Sequence, residues 1–111
     1  MSMKKIFSTV LVLVMITLTM SAVDIWFTWS PNPPEEFVTS YVIQQKNMAL
    51  TNAQFIPVVT VKTNEGTVKG VGAGIWAFRV VAINGVGTSA PSSVVTVPTN
   101  APSMPQGFQT K

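Results

Sequence analysis

The hydrophobic residues that follow position 22 alternate with polar ones, which is the pattern of half-buried β-strands. In the first such run, residues 23–29, Ile25, Phe27 and Trp29 lie on one face of an extended chain. Trp26 and its polar neighbours lie on the other face. The proline-rich segment 30–34 ends this run, because proline has no N–H to donate within a sheet. The pattern therefore predicts a strand with one buried face.

Five further runs of this kind follow, each bounded by turn-forming residues. The strongest covers residues 75–83, and no stretch after residue 23 has a helical period. The other predicted strands cover residues 37–45, 55–63, 67–71 and 93–97. Short strands at this spacing predict an all-β sandwich or barrel. The predicted core consists of Phe27, Trp29, Tyr41, Ile43, Trp76, Phe78 and Val80.

Residues 1–22 have a different pattern. Lys4 and Lys5 precede an apolar run over residues 6–20, and Ser21 and Ala22 follow it. This order is typical of a cleaved signal peptide, with the cut after Ala22 or after Ser21. The alternative is an uncleaved membrane-anchoring helix, since residues 6–23 are just long enough to cross a bilayer of about 30 Å.

Both alternatives predict a hydrophobic N-terminal helix and place the remaining chain outside the cytoplasm. The protein is then secreted, periplasmic or at the cell surface, or it is held there by a single membrane span. The predicted organisation is a signal peptide or anchor at 1–22, one domain at 23–99 and a proline-rich tail at 100–111.

The net charge of +3 does not indicate a nucleic-acid partner. Two of the seven basic residues, Lys4 and Lys5, belong to the N-terminal segment, and the others are scattered. Binding to phosphates requires clustered cations. We therefore expect no nucleic acid, and contact with a membrane only through an uncleaved N-terminal segment.

The sequence also lacks the residues that most catalytic and metal sites require. It contains no histidine and no cysteine, which excludes Ser-His-Asp catalysis, thiolate chemistry and a disulfide framework. The four carboxylates are Asp24, Glu35, Glu36 and Glu65, and their spacing suggests no paired acid and base. We predict no enzyme activity, no cofactor and no metal site.

Two parts of the chain, in the right order and spacing, resemble a fibronectin type III domain. Trp29, the prolines after it and the segment 38–43 resemble the second and third strands of that family. Residues 76–84 and 87–92 resemble its sixth strand, the loop after it and the start of its last strand. The resemblance covers residues 23–99 and implies an immunoglobulin-like, fibronectin type III β-sandwich.

The chain departs from the family pattern in two important ways. Trp76 stands where the family has a tyrosine whose hydroxyl binds the backbone, so the indole N–H needs another acceptor. In addition, the first strand of the sandwich has no obvious counterpart. An open sheet edge favours pairing with another strand, and we expect the tail, residues 100–111, either to fill it or to remain solvated.

Two surfaces are predicted to bind a partner. The alternation exposes Trp26 on one sheet, and Val42, Arg79 and Val81 on the other. Tryptophan is enriched in binding hot spots, although cover by neighbouring side chains also explains it. The resemblance further implies contacts from two loops, 31–36 and 84–88. In this chain they contribute Pro33, Glu35, Asn84 and Val86.

These observations support two functional hypotheses. The first is a non-catalytic, exported binding or adhesion module from a bacterium or phage, which recognises a protein or glycan. The second is a structural subunit that self-associates through the open sheet edge and the tail. Only the second requires the chain to associate with itself.

Overall fold

The computed structural model describes residues 5–6, 12–18, 22–100 and 105–110, and its architecture is a sandwich of two antiparallel sheets. The predicted cleavage position, after residue 21 or 22, lies at the border of the described residues. Residues 101–104 of the predicted tail lie outside them. The strands are β1 (Lys5–Ile6), β2 (Val12–Leu18), β3 (Val23–Thr28), β4 (Ser40–Asn47), β5 (Ile56–Val61), β6 (Glu65–Val71), β7 (Ile75–Ile83) and β8 (Val95–Pro98). A short 3₁₀ helix, Pro34–Glu36, lies between β3 and β4.

The first sheet has the order β1-β2-β3-β6 and the second has the order β5-β4-β7-β8. The register of β4 against β7 runs without interruption from Ser40 opposite Ile83 to Asn47 opposite Trp76. The all-β prediction is confirmed, and the fold is that of a fibronectin type III domain.

The core lies between the two sheets and contains the residues that alternation predicted. Ile25, Ile43 and Phe78 are the largest side chains that are almost fully buried. The rings of Phe27 and Phe78 lie 4.9 Å apart. Burial of each such side chain stabilises the fold by about 1.5–3 kcal/mol. The cluster also includes Trp29, Tyr41 and Val80, and Trp76 packs against it from a partly buried position.

The predicted N-terminal helix is not found among the described residues of that segment, 5–6 and 12–18, which form strands. Val12–Leu18 forms β2, which pairs with β3 in an antiparallel register from Leu13 opposite Thr28 to Leu18 opposite Val23. In the uncleaved chain, β2 therefore occupies the edge of β3 that the predicted cleavage would leave open. A continuous apolar run has no period that separates helix from strand, and pairing with β3 satisfies backbone groups that an open edge leaves exposed. The described residues contain no helix long and apolar enough to span a membrane.

The described part of the tail, residues 105–110, belongs to neither sheet. Residues 105–110 are exposed and belong to no strand, and Phe108 is 99% exposed. The edge of β3 that the tail was expected to fill is occupied by β2. The strand-addition hypothesis rested on an open edge of β3, and β2 covers that edge.

The indole N–H of Trp76 is hydrogen-bonded to a backbone carbonyl, which replaces the acceptor used by the family's tyrosine. Its Nε1–H donates to the backbone carbonyl of Gly72 at 3.0 Å. Thr99 joins the same turn, because its hydroxyl donates to Gly72 O at 2.6 Å and its backbone N–H to Gly74 O at 2.8 Å. The Trp76 side chain thus closes the turn that begins at Gly72, four residues before it. The corresponding tyrosine binds the backbone in a similar way in related sandwiches.

Candidate binding surface

The register of the strands places three connections at one end of the sandwich, which we call the loop end: residues 29–39, 62–64 and 84–88. They follow the last residues of β3 and β5 and connect β7 to the final strand. Thr39 links them to the sheet, because its backbone N–H donates to Ile83 O at 2.8 Å. Two of the three are the loops that the sequence analysis implied as a binding surface.

Tyr41 anchors the loop between β3 and β4. Its ring is buried with 6% exposure and meets Trp29 edge-on, with 5.4 Å between the ring centroids. Its hydroxyl oxygen accepts a hydrogen bond from the backbone N–H of Asn32 at 2.9 Å. The amide of Asn32 in turn donates to Glu36 Oε1 at 2.8 Å. A core aromatic residue therefore fixes the position of an otherwise irregular loop.

Asn84 connects this loop to the one after β7. Its Nδ2 donates to the backbone carbonyl of Glu36 at 2.9 Å. Its Oδ1 accepts from the backbone N–H groups of Val86 and Gly87, at 2.8 and 3.1 Å. Both the nitrogen and the oxygen of the Asn84 amide are thus bonded within the protein. Its role in partner binding remains a prediction. Its observed contribution is to hold two loops together.

The loop end carries an exposed aromatic residue in an unfavourable backbone conformation. Phe37, which directly follows the 3₁₀ helix, has φ 53° and ψ 42° and is 78% exposed. Its N–H donates to Pro34 O at 3.1 Å, which closes the turn. A bulky residue in the left-handed region costs about 1–2 kcal/mol, and such residues concentrate at functional sites.

Val86 lies at the tip of the neighbouring loop and is 97% exposed. Glu35 and Glu36 are exposed on the 3₁₀ helix, and a shallow groove that includes Asn32, Glu36, Asn84 and Val86 runs between the two loops. The loop end thus presents two exposed apolar side chains, Phe37 and Val86, on neighbouring loops that the Asn84 amide links, with Glu35 and Glu36 on the turn before Phe37.

The predicted partner-binding residues do not form one surface. Pro33, Glu35, Asn84 and Val86 come together at the loop end, whereas Val42, Arg79 and Val81 lie on the outer face of the second sheet. Val42 and Val81 stand opposite each other in the register and are only 9% and 5% exposed, so they offer little surface to a partner. Trp26 is half-buried on the opposite sheet, beside Thr67 of β6.

Arg79 is engaged by its neighbours. Its guanidinium carbon lies 4.0 Å from the centroid of the Phe55 ring, and its Nε donates to Gln44 Oε1 at 2.6 Å. Lys46 Nζ lies over the same ring, 4.9 Å from its centroid. This cation–π arrangement stabilises the residues that precede β5. Sequence reasoning missed it because Phe55 was placed at the start of a strand, with no indication that its ring folds over the sheet.

Sequence reasoning also missed Phe37, which it placed at the start of a strand that begins instead at Ser40. The one available signal was an aromatic residue directly after two glutamates in a proline-rich loop. Nothing in that sequence indicates a left-handed backbone, which glycine or asparagine ordinarily announces.

Comparison with known proteins gives the fold and no closer relationship. No protein-family model and no curated protein sequence matches the chain. Among solved structures it is similar to the fibronectin type III domain of human fibronectin type III domain containing protein 3, with 25% identity and a TM-score of 0.58 over 86% of this chain and 88% of that one.

The chain is also similar to parts of two much longer structures. For the twitchin kinase region from C. elegans the identity is 24% and the TM-score 0.59, over 68% of this chain and 14% of that one. For titin kinase and its flanking domains the values are 22% and 0.58, over 73% and 15%. The chain thus spans a small fraction of these structures, and only the fibronectin type III fold is shared.

Proposed function

We propose that this protein is a non-catalytic binding module that acts outside the cytoplasm and recognises a protein partner through its loop end. The observation that carries this proposal is Phe37, an aromatic residue that is 78% exposed and held at φ 53°. Neither the exposure nor the backbone conformation favours folding, since burial of the ring and an extended backbone are each more stable. A binding role explains why the loop carries both.

A protein partner is favoured over a glycan by the composition of the surface. Phe37 and Val86 supply exposed apolar area, and Glu35 and Glu36 lie at its border. An apolar centre with a polar rim is the usual anatomy of a protein interface, in which aromatic anchors contribute most of the binding energy. The fibronectin type III fold is often used for binding and adhesion, which is consistent with this role.

The absence of catalysis rests on the inventory of the sequence. Without histidine or cysteine, the acid–base and nucleophilic groups left are hydroxyls, lysines and four carboxylates. Glu35, Glu36 and Glu65 lie at the loop end, and Asp24 lies at the other end of β3, where Oδ1 accepts from the N–H of Gly70 at 2.9 Å. Asp24 is thus separated from the other three carboxylates by the length of β3.

We propose export from the pattern of residues 1–22, and the fate of β2 then depends on whether this segment is cleaved. A cut after residue 21 or 22 removes the strand that covers the edge of β3. An uncleaved segment keeps it. The mass of the exported product therefore decides whether the working form of the domain has a covered or an open first edge. An open edge would restore the possibility of self-association by strand addition.

The binding proposal is tested with the full chain, labelled and applied to intact cells of candidate host or neighbouring species. Phe37→Ser combined with Val86→Ser removes the exposed apolar pair, and Val94→Ser removes a residue that is 48% exposed away from the loop end. Loss of binding in the double variant, with binding retained in the Val94 control, supports the proposal. Equal binding by both variants contradicts it. Intact mass and fractionation of the exported product test the localisation separately.

A further inference from the structure

Apart from Arg79, which lies in the middle of β7, the charged residues of the segment 22–100 lie towards the two ends of the sandwich. Three of the four carboxylates, Glu35, Glu36 and Glu65, lie at the loop end with Lys62, and the pairing of β1 with β2 places Lys5 at the same end. The opposite end, where the chain leaves the sandwich at Thr99, we call the exit end: residues 48–55, 72–74 and 99. Lys46 and Lys69 lie next to it, with Asp24 as the carboxylate. Among the described residues, the loop end has three carboxylates against two lysines, a net charge of −1, and the exit end has two lysines against one carboxylate, a net charge of +1.

The exit end also carries exposed apolar side chains. Met48, Leu50 and Ile75 are 47%, 60% and 49% exposed. They are neighbours, because the backbone N–H of Met48 donates to Ile75 O at 3.0 Å and that of Leu50 to Asn47 O at 3.3 Å. Ile56, which is 53% exposed, begins the strand that follows this loop. Among residues 22–100, the large exposed hydrophobic residues other than Val94 lie at one end or the other.

We infer that the exit end of one copy binds the loop end of a second copy, so that the protein assembles head to tail. This inference rests on the proposed function, since it names the partner of the same loop-end surface. Phe37 and Val86 of one copy meet the apolar residues 48, 50 and 75 of the next, and the glutamates of the first face the lysines of the second. The two surfaces differ, so the contact is heterologous and repeats along a line.

Both surfaces are rigid enough for such a contact. At the exit end, Thr99 donates to the carbonyls of Gly72 and Gly74, at 2.6 and 3.2 Å from its hydroxyl, and this fixes the point where the tail departs. At the loop end, Asn84 and Tyr41 hold the two loops. Preorganised surfaces lose less conformational entropy when they associate.

The size of the ends limits the affinity. The two shorter dimensions of the chain are 29 and 25 Å, so an end-on contact covers about 600 Å² on each copy, close to the lower limit for a specific interface. We expect weak association that weakens further with salt, because exposed charges are screened.

Sedimentation equilibrium of the full chain tests the inference with two double variants. Phe37→Ser with Val86→Ser removes the apolar pair of the loop end, and Leu50→Ser with Ile75→Ser removes that of the exit end. We expect each variant alone to raise the dissociation constant at least tenfold. An equimolar mixture of the two should form a dimer and no larger species, with the affinity of the unchanged chain, because each variant retains the surface that the other lacks. Val94→Ser should associate normally.

Because either double variant can also lose stability, Glu35→Lys with Glu65→Lys provides an independent test on exposed loop-end carboxylates that leaves the Asn32–Glu36 hydrogen bond in place. It should weaken association at low salt and leave thermal stability unchanged. A chain that stays monomeric at every accessible concentration overturns the inference, as does a mixture that fails to form the dimer. Association that is lost on deletion of residues 100–111 but survives the exit-end variant also overturns it. If the chain is monomeric while the loop-end variant still loses cell binding, the proposed function stands and only the identity of the partner is wrong.

Discussion

Tyr41→Phe removes a single oxygen atom, the one that accepts the backbone N–H of Asn32 at 2.9 Å. The buried ring and its edge-on contact with Trp29 remain. A hydrogen bond of this kind contributes about 0.5–1.5 kcal/mol. Since Asn32 is half-buried, water replaces the lost partner only in part. We expect the free energy of unfolding to fall by about 1 kcal/mol, which lowers Tm by about 4–8 °C in a domain of this size.

The assay combines thermal unfolding with hydrogen exchange at the Asn32 amide, which should lose protection in the variant. Thr39→Val is the matched control. It removes a hydroxyl at the same end that donates to Ile83 O at 3.1 Å, but that carbonyl keeps the backbone N–H of Thr39 as a donor. The control should lose less than about 0.5 kcal/mol. An unchanged Tm together with unchanged exchange at Asn32 would refute the claim that Tyr41 anchors the loop.

Three further substitutions test other parts of the structure. Gly74→Ala should destabilise the fold by about 1 kcal/mol or more in denaturant titration. The φ angle of Gly74 is +148°, and a Cβ at this position would lie 3.3 Å from Trp76 Nε1. Gly72→Ala is the control and should be near neutral, because a Cβ there would meet no atom within 4 Å. Phe37→Asn should raise the free energy of unfolding by about 0.5–1 kcal/mol while it weakens binding, because asparagine tolerates the left-handed backbone. A variant that is neither more stable nor weaker in binding would contradict the functional reading of that residue. Ile43→Ala, at a site with 1% exposure, should cost about 2–5 kcal/mol by thermal or chemical unfolding, and a cost below 1 kcal/mol would show that the core is misplaced.

Sequence patterns predicted those parts of the fold in which local signals agree. Residues 75–83 alternate, are rich in aromatic and β-branched residues and are bounded by glycine-containing turns, and β7 has the bounds Ile75–Ile83. The core followed from the same alternation. The acceptor of the Trp76 indole required the structure, because Gly72 O is brought near only by the turn that the indole itself closes.

The N-terminal segment was predicted less well for a physical reason. An unbroken apolar run is compatible with a signal helix and with a buried strand, and the choice depends on whether an unpaired edge is within reach. In the folded domain β3 provides that edge, and Val14 packs against the core. Such a partner is a tertiary feature that no local pattern encodes.

The candidate surface was only partly predictable. Alternation assigned Val42 and Val81 to an outer face but did not show that both are buried there. The resemblance indicated the two loops that form the loop end, yet Phe37 was placed in a strand. A left-handed aromatic residue follows from the 3₁₀ turn of Pro34–Glu36 and from the hydrogen bonds that hold it, rather than from its own preference.

Site-specific photo-crosslinking of the full chain is the most direct test of the proposed binding surface at the loop end. A photoreactive residue replaces Val86 at the loop end in one preparation and Val94 in another, and both positions are exposed. We expect a discrete adduct from position 86 and none from position 94. The adduct from position 86 should disappear in the Phe37→Ser background. An adduct of twice the chain mass would identify a second copy as the partner. No adduct at position 86, or the same adduct from both positions, would contradict a binding surface at the loop end.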